Sequence, residues 1–449
     1  MIIGITNFKN EKYLFKFDSI NFSVTLEDIE YREKTFEDLK ELFEAEYHIT
    51  VLDGRTTDGN DIVFNLTNNG MQVTSPGIYS ANVYSYIIFN GEKKEYNGLG
   101  IQARELDFFF DKNKALNYNV SSLDDGTMEM RVKPFKETQE SFNFSLNDDE
   151  FLGSLNVSRK IIDRTIILNS ELHINKVNLD NIVTELEEVV SVFSKFFRFV
   201  SNRLNVQISK VNLKSKSQDN KFRIIGEYFR KDQWSYDEMI EKDLNKIISF
   251  DLLEGSLPNL IHKISKGELY LRHLPITYKE GKNITPARFI MSSAAFEWQY
   301  KHTNDIEPES EIKQEVISYL EEVSEQKTGK DKKYIKGLLK IVKSKDNSLN
   351  QRMQKALNEH DVILTPFIKH LYSFSNIKNY SNQDISSRLA EERNNFAHGN
   401  LDKEFKGDSV YDLLLLEWLY YVIVLKEIGL SDKKIQKSIN KLFHRLLDI

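Results

Sequence analysis

The sequence predicts an α+β protein of several domains: a β-sandwich-like region, a small mixed α/β extension of it, and an all-α helical bundle. Short alternating apolar stretches between polar turns indicate the β-rich region, residues 1–178. The apolar spacing then lengthens, and the mixed segment takes residues 179–278. Only helical patterns follow in residues 279–449. With 449 residues, 40% of them hydrophobic, the chain can form two or three separate cores.

The first region contains many short strand patterns, which are typical of a sandwich. The aromatic run from Leu106 to Phe110 could form a sugar- or partner-binding surface, but packing in the core is the favoured interpretation. The segment Asn97–Arg104 contains two glycines without the context of a phosphate loop, so we interpret it as a turn between strands. The predicted strands are Lys12–Phe17, Tyr47–Leu52, Ile62–Leu66, Tyr79–Phe89, Thr127–Val132, Phe142–Leu146 and Arg164–Ile174.

The mixed segment opens with an amphipathic helix. From Ile182 to Val200, apolar residues recur at steps of three and four, so this helix needs an apolar surface to lie on. Two strand patterns, Leu204–Leu213 and Phe222–Phe229, would supply a small sheet for it. A helical pattern from Trp234 to Leu274 closes this half of the chain.

The bundle begins at a clear helix start. Thr285 is a good N-cap residue and Pro286 suits the first turn, so the domain boundary is placed just before them. Apolar residues at helical spacing then continue to the end of the chain. The predicted helices are Arg288–Tyr300, Glu309–Glu325, Lys332–Val342, Leu349–Glu359, Val362–Tyr372, Ile385–Ala397, Ser409–Ile428 and Lys433–Leu447.

Charge and composition exclude several classes of protein. The net charge of −7 argues against a wholly basic nucleic-acid binder, although residues 278–449 carry 27 Lys and Arg against 25 Asp and Glu. Without cysteine there is no disulfide, no thiolate nucleophile and no Cys-based metal site, which suits the reducing cytoplasm that we expect as its location. The N-terminus lacks a signal-peptide pattern, and the apolar stretch Leu413–Leu425 is interrupted by Glu417, so we expect no membrane segment.

The strongest chemical pattern lies near the end of the helix Ile385–Ala397. Arg393, Asn394 and His398 gather there, followed by Gly399 as a candidate left-handed cap. At about 100° per residue, Asn394 and His398 share one face, whereas Arg393 must reach around to join them. The last turn of a helix favours the charged imidazolium form of His398.

These residue types suit the cleavage of RNA. An imidazole that titrates near neutral pH can take a proton from a 2′-hydroxyl or protonate the leaving oxygen, while a guanidinium binds the phosphate. This chemistry needs no metal. The alternative is structural: Arg393 pairs with a neighbouring carboxylate, Asn394 faces solvent, and His398 only caps the helix. An Arg followed five residues later by a His is a weak pattern without further context.

The context of the motif resembles that of the HEPN superfamily. Arg393-Asn394-x-x-x-His398 ends a helix in a late bundle, and Gly399 and the apolar helix containing Leu413 follow it. In that superfamily an Arg-x(4 to 6)-His motif forms a metal-independent endoribonuclease site where two helical domains pair. The resemblance covers roughly residues 279–449. It implies catalytic roles for Arg393 and His398 and a supporting role for Asn394.

A β-rich region in front of such a bundle is similar to the ApeA group of HEPN proteins, which is associated with bacterial anti-phage defence. This resemblance implies an abortive-infection ribonuclease whose front half senses or restrains, with a phage-derived trigger as a possible partner of that half. It also implies RNA as substrate, a 2′,3′-cyclic phosphate as product, and a homodimer or higher oligomer formed through the helical domain. The alternative is a non-catalytic HEPN module that dimerises or binds a partner.

A lysine stripe in the bundle is a second candidate. Lys332, Lys336, Lys340 and Lys343 fall on one face of a predicted helix whose other face can bury Tyr334, Ile335, Leu338, Leu339 and Val342. A phosphate backbone could bind along this stripe, although a solvated face is the ordinary explanation of such a pattern. We find no spacing of His, Asp or Glu typical of a metal site and no motif for a nucleotide cofactor, so neither a metal nor a cofactor is expected.

Overall fold

The computed structural model describes residues 1–29, 36, 40, 42, 46–115, 118–122, 126–132, 139–147, 149–163, 165–206, 208–217, 221–231, 241–303, 311–344, 348–374, 377, 380–399 and 409–448. The chain divides into two compact units. Unit 1 contains Met1–Phe197 and Asn205–Glu238, and unit 2 contains Arg198–Leu204 and Met239–Ile449. The α+β class, with a β-rich first part and a helical last part, is as predicted.

Unit 1 contains a closed ring of strands. Its members are β1 (Ile2–Phe8), β2 (Glu11–Asp18), β3 (Ser23–Asp28), β5 (Val51–Thr56), β6 (Asp61–Leu66) and β8 (Ile78–Phe89). The antiparallel order β8-β3-β2-β1-β5-β6 closes because β6 pairs again with β8. The long strand β8 makes this possible, since its first half pairs with β3 and its second half with β6. The predicted strand-rich region is therefore present, in the form of a ring rather than two separate facing sheets.

Buried and more exposed side chains alternate along the strands, and the buried ones fill the interior of the ring. In β2, Tyr13, Phe15 and Phe17 are fully buried, and the residues between them are more exposed. They meet aromatic side chains of other strands edge-on, for example Phe15 with Phe64 at a centroid distance of 5.4 Å. An aromatic core of this kind stabilises a small ring that has room only for side chains.

The sheet continues beyond the ring. The order is β12-β13-β14-β9-β15-β16-β8, and every pairing in it is antiparallel. The two strands predicted for the mixed segment therefore belong to the same sheet as the first region. The ranges are β9 (Gly98–Ala103), β12 (Gln139–Leu146), β13 (Asp149–Ile162), β14 (Thr165–Lys176), β15 (Ile208–Lys216) and β16 (Phe222–Arg230). Shorter described strands are β4 (Glu46–Tyr47), β7 (Met71–Ser75), β10 (Tyr118–Ser122) and β11 (Met128–Val132).

The interpretation of Asn97–Arg104 as a turn is wrong, because most of this segment is the buried central strand β9. Its two glycines serve close packing instead of chain reversal. A Cβ on Gly98 would lie 2.8 Å from the ring of Phe222, and one on Gly100 would lie 2.5 Å from the carboxylate of Glu171. Neighbouring side chains thus cross over both glycines, which is a known use of glycine within strands.

Helix α2 (Leu186–Ser201) carries the predicted apolar stripe. Within unit 1, Phe193 packs edge-on against Phe144 of β12 at 5.6 Å, and Phe196 packs against Phe109 at 5.1 Å. Phe109 belongs to the short helix α1 (Leu106–Phe109), which confirms that the aromatic run from Leu106 to Phe110 is part of the core. A sheet face covered by one amphipathic helix explains both apolar patterns.

Unit 2 is helical. The helices are α3 (Glu241–Leu244), α4 (Phe250–Leu253), α5 (Leu257–Ser265), α6 (Pro286–Thr303), α7 (Glu311–Gln326), α8 (Gly329–Ser344), α9 (Leu349–Glu359), α10 (Asp361–Tyr372), α11 (Asn382–Ala397), α12 (Ser409–Glu427) and α13 (Asp432–Leu442). The predicted helices agree closely except for the last, which ends at Leu442 instead of Leu447. The Thr285 hydroxyl caps α6 by accepting from the Arg288 N–H at 3.2 Å. The start of the predicted helix Trp234–Leu274 lies outside the described residues, and the rest forms three short helices.

The segment from residue 241 to 278 packs with the helical unit, whereas the sequence prediction grouped it with the N-terminal region. Lys263 of α5 forms an ion pair with Glu427 of α12. Asn259, also on α5, donates to the Ile428 carbonyl at 3.2 Å. Such pairings join residues far apart in sequence, so no local pattern could have assigned this segment to its unit.

Helix α12 is the centre of unit 2, and most of its circumference is buried. Its three acidic residues pair with cationic side chains of three different helices. Asp412 binds Arg388 of α11, Glu417 binds Arg288 of α6 through two 2.7 Å hydrogen bonds, and Glu427 binds Lys263 of α5. Because buried carboxylates are costly unless they are paired, these contacts fix how the surrounding helices are placed around α12.

Candidate functional site

Helix α11 positions the predicted site residues. It begins with a capping box: the Ser381 hydroxyl accepts from the Asp384 N–H at 3.2 Å, and the Asp384 carboxylate accepts from the Ser381 N–H at 3.3 Å. One face of the helix buries Ile385, Leu389 and Phe396. Phe396 lies edge-on against Phe289 of α6 at 5.8 Å. A capped start and a packed face hold the far end of the helix, where the motif lies.

The far end of α11 has the predicted geometry. The His398 N–H donates to the Asn394 carbonyl at 3.1 Å, so these two residues are one turn apart on one face. Gly399 has a φ of +82°, which confirms it as the left-handed residue that ends the helix. His398 is the last residue before that turn, at the carbonyl end of the helix.

The side chains of Asn394 and His398 face solvent. Among the residues that the structure describes, none forms a hydrogen bond with the His398 ring. Its two nitrogens are therefore not engaged by any described group, and an exposed ring can meet a ligand from solution. Residues 400–408, which follow the motif, lie outside the described part of the chain.

Arg393 is held by a carboxylate from another helix. One terminal nitrogen of its guanidinium donates to Glu297 Oε1 of α6 at 3.3 Å, and the other donates to Asn394 Oδ1 at 3.2 Å. The second oxygen of Glu297 accepts from Arg352 of α9 at 3.4 Å. One carboxylate is thus shared by two guanidinium groups. The Arg393 side chain is 37% exposed, so it can also reach solvent.

Glu297 and Arg352 did not emerge from the sequence. They lie 96 and 41 positions before Arg393, and no spacing rule links residues on different helices at such distances. The one available signal was weak: both are charged residues on predicted helices with buried apolar faces. The structure adds them to the predicted set because Glu297 forms ion pairs with both Arg393 and Arg352.

A second ion pair anchors α11 one turn before the motif. Arg388 donates to both oxygens of Asp412 at 2.7 and 2.8 Å, and the Tyr372 hydroxyl also bonds this carboxylate. Hydrogen bonding to Asp412 raises the pKa of Arg388, and burial followed by the charge of Asp412 raises the pKa of Tyr372. Arg388 therefore stays charged and Tyr372 stays neutral near neutral pH. This anchor fixes the helix without taking part in the exposed motif.

The three features of the structural alternative are all present. Arg393 pairs with Glu297, Asn394 is exposed, and His398 occupies the cap position. These features are compatible with phosphate binding, since the pairing with Glu297 and Asn394 uses only part of the guanidinium's donors. The end of α11 thus offers an imidazole, an amide and an arginine to a ligand, with a second arginine behind the shared carboxylate.

The lysine stripe lies on helix α8. Lys336, Lys340 and Lys343 are exposed and Lys332 is half-buried. Lys343 pairs with Glu321 of α7 at 2.7 Å, whereas Lys332, Lys336 and Lys340 form no ion pair with any described residue. On the other face, Ile335, Leu338, Leu339 and Val342 are half-buried as expected. Tyr334 is an exception, because it is 69% exposed.

No helix among the described residues is long and apolar enough to cross a membrane. In the same part of the chain, no three His, Asp or Glu side chains are grouped closely enough to form a metal site.

The Arg-Asn-x-x-x-His motif thus lies at a solvent-facing helix end within the helical unit. In the comparison with known families, residues 294–434 match the family model described as Apea-like HEPN. The C-terminal unit therefore contains an Apea-like HEPN domain, of a nuclease-type family linked to anti-phage defence. Neither a curated protein nor a solved structure matches the chain.

The match is confined to unit 2. It includes Glu297, Arg352 and the whole motif from Arg393 to His398, and it ends within helix α13. HEPN domains commonly form pairs and bind RNA. The β-rich unit lies outside the matched residues, so its role is a separate question.

Proposed function

We propose that this protein is a metal-independent endoribonuclease of anti-phage defence, in which Arg393 and His398 cleave RNA and Asn394 supports them. The observation that supports the proposal is that Asn394 and His398 are exposed one turn apart at the end of α11 and that Arg393 contacts Asn394, inside the region that matches the Apea-like HEPN family. The β-rich unit would act as the sensor or regulator of an abortive-infection response, with a phage-derived molecule as its trigger.

The chemistry follows from the residue types. A 2′-oxygen attacks the adjacent phosphorus and loses its proton, while the 5′-oxygen leaves and gains one, so the product ends in a 2′,3′-cyclic phosphate. An imidazole can accept the first proton or supply the second. The guanidinium of Arg393 binds the phosphate oxygens as negative charge accumulates on them. Water is not consumed in this step, and the protein needs to supply only proton transfer and charge.

A second candidate function is a non-catalytic HEPN module that dimerises or binds a partner. Two observations favour it, the ion pair between Arg393 and Glu297 and the cap position of His398. They give Arg393 and His398 structural roles within one chain. The two candidates differ in one measurable property, which is whether RNA is cleaved by these side chains.

The test is cleavage of single-stranded RNA by the purified full-length protein in the presence of a chelator. We expect His398→Ala and Arg393→Ala each to lower the cleavage rate by about 10²-fold or more, because general acid-base catalysis typically contributes that much. Asn394→Ala should have a smaller effect, since its assigned role is support. Circular dichroism and melting temperature should hardly change, because His398 and Asn394 are exposed.

The matched control is His262→Ala. His262 is an exposed histidine on α5, and its replacement should leave cleavage unchanged. Cleavage at the wild-type rate by folded His398→Ala protein would reject the catalytic site and favour the interaction module. Loss of cleavage in His262→Ala as well would show that the effect is not specific to the motif.

A further inference from the structure

A cavity in unit 2 has a lining suited to an anion with an apolar part. Its volume is about 310 Å³, which is at the small end of the range for ligand pockets. Leu414 of α12 and Leu442 and Phe443 at the end of α13 form an apolar part of its wall. The remaining wall is mostly polar and basic.

Four cationic side chains line this cavity: Lys246, Lys282, Arg288 and Arg445. No carboxylate is among its described lining residues. A small cavity with several cations and no lining anion has a positive potential, which its low-dielectric walls strengthen. The lining of the cavity therefore favours negatively charged ligands, to the extent that its cations are not already paired within the protein.

Two of the four cations are already compensated. Arg288 makes two 2.7 Å hydrogen bonds with the buried carboxylate of Glu417 and donates to backbone carbonyls as well. Lys246 pairs with Asp243 at 3.0 Å and bonds the hydroxyl of Tyr278. These two residues shape the wall, and their charge is largely used within the protein.

Lys282 and Arg445 form no such ion pair with a described residue, although the charge of the buried Glu417 also acts on Arg445. Lys282 lies 4.8 Å from the centre of the Tyr278 ring and forms no ion pair with a described residue. The guanidinium of Arg445 lies over the ring of Trp418 at 4.7 Å, and its buried Nε has no hydrogen-bond partner among the described residues. Burial lowers the pKa of Arg445, which indicates that its charge is poorly solvated. An unpaired buried donor is costly, and an anion in the cavity would satisfy it.

We propose that this cavity binds a small organic phosphate, with its phosphoryl group between Lys282 and Arg445 and its carbon skeleton against Leu414, Leu442 and Phe443. The volume admits one phosphate and a skeleton of about the size of a sugar or nucleoside, and excludes an RNA strand. Arginine and lysine together are the residues that proteins use for phosphate oxygens. The apolar wall favours an ester over the free inorganic ion.

This site is separate from the candidate nuclease site. Arg288 lines the cavity, and Glu297, the partner of Arg393, is nine residues further along α6, which corresponds to roughly 14 Å along the helix axis. Lys246, Lys282 and Arg445 also lie outside residues 294–434, the part that matches the HEPN family. The proposal therefore does not depend on the nuclease activity.

The test is isothermal titration calorimetry on the full-length protein with ribose 5-phosphate, adenosine 5′-monophosphate, adenosine and inorganic phosphate as probes. We expect at least one of the two esters to bind, adenosine not to bind, and inorganic phosphate to bind at least about tenfold more weakly than the ester. Lys282 is exposed and can be changed without loss of the fold. The variant Lys282→Glu should bind the ester about tenfold or more weakly.

Two control variants make the test specific. Lys279→Glu makes the same charge change at an exposed residue that does not line the cavity, and it should leave ester affinity nearly unchanged. Arg393→Ala should also leave it unchanged, which separates this cavity from the nuclease site. The proposal is overturned if neither ester binds at millimolar concentration, if Lys282→Glu and Lys279→Glu bind equally well, or if inorganic phosphate binds as tightly as the esters.

Discussion

The residue that decides the character of the candidate site is Glu297. Its carboxylate is shared by Arg393 and Arg352 at 3.3 and 3.4 Å, and its side chain is 21% exposed. Ion pairs near the surface contribute only about 0–1 kcal/mol to stability, so this contact adds little to the free energy of unfolding. Its larger effect is electrostatic: it holds the Arg393 side chain in place and offsets part of the positive charge that a phosphate would meet.

We expect Glu297→Gln to separate RNA binding from RNA cleavage. Without the carboxylate, the two arginines attract phosphate more strongly, so the KM for RNA should fall. Because Arg393 is then positioned less well, kcat should fall by about tenfold, which raises the barrier from the bound complex by roughly 1.4 kcal/mol. Steady-state kinetics on a short RNA measure both quantities.

The control for this prediction is Glu359→Gln, which removes an exposed carboxylate from the pair with Lys355 on α9. It should change neither constant. If Glu297→Gln raises KM or leaves kcat unchanged, Glu297 does not position Arg393 for catalysis, and its contact with the two arginines is only structural.

At the scale of single helices, α8 is the element with the clearest unused charge. Lys336 and Lys340 are one turn apart, both are exposed, and neither pairs with a described carboxylate. We expect the double change Lys336→Glu with Lys340→Glu to weaken RNA binding and to reduce its salt dependence. The slope of log K against log salt is negative, and each lost phosphate contact should make it less steep by about 0.7. Binding titrations at several salt concentrations measure this slope.

Helix α13 offers a matched control. Lys433 and Lys437 have the same spacing, are exposed, and form no ion pair with a described residue. Changing both to Glu alters the net charge by the same amount, so an equal loss of binding would indicate a general charge effect. An unchanged salt slope in the α8 variant would mean that this stripe is simply a solvated face. Cleavage at saturating RNA should persist in both variants.

The helices of unit 2 could be predicted from the sequence because their signals are local. The range Leu349–Glu359 agrees with the structure, and α10 differs from its predicted range by one residue at its start. Capping residues and a spacing of three to four residues are all that such a prediction requires. Strand β9 could not be predicted in this way, because its signals are not local. Its glycines make room for the side chains of Phe222 and Glu171, which are far from β9 in the sequence.

In the candidate site, too, local features could be predicted from the sequence and long-range contacts could not. The motif from Arg393 to His398 lies on one helix end, so the sequence could predict its turn, its cap and its shared face. Glu297 and Arg352 come from other helices, and their convergence depends on how α6, α9 and α11 pack. A single sequence contains the types of these residues but not their distances.

At the scale of the whole molecule, the proposed chemistry decides how many chains form the active unit. One chain presents one motif histidine, whereas cleavage of RNA uses a proton acceptor and a proton donor on opposite sides of the phosphate. A two-fold axis that places two α11 ends across one cleft would supply both groups, and two-fold pairing is the commonest way in which identical chains associate. The exposure of His398 and Asn394 leaves them free for such a cleft.

We expect a mixed dimer of wild-type and His398→Ala chains to cleave RNA at far below half of the wild-type rate, because its single composite cleft lacks one histidine. The measurement needs two differently tagged chains, tandem purification and a cleavage assay. A rate of one half would show that each chain acts by itself. Full activity of a protein shown to be monomeric would also contradict the shared cleft, even if Arg393 and His398 were catalytic.

The burial of α12 has a consequence for the rates at which backbone hydrogens exchange with solvent. Its middle, from Leu415 to Val424, is buried on every side, and Asp412, Glu417 and Glu427 tie it to other helices. Its amides can exchange only when the whole unit opens, whereas those near His398 can exchange by fraying of a helix end. Deuterium uptake measured by mass spectrometry should therefore be slowest in α12 and much faster at the motif, so one domain would display both its global stability and the local freedom of its candidate site.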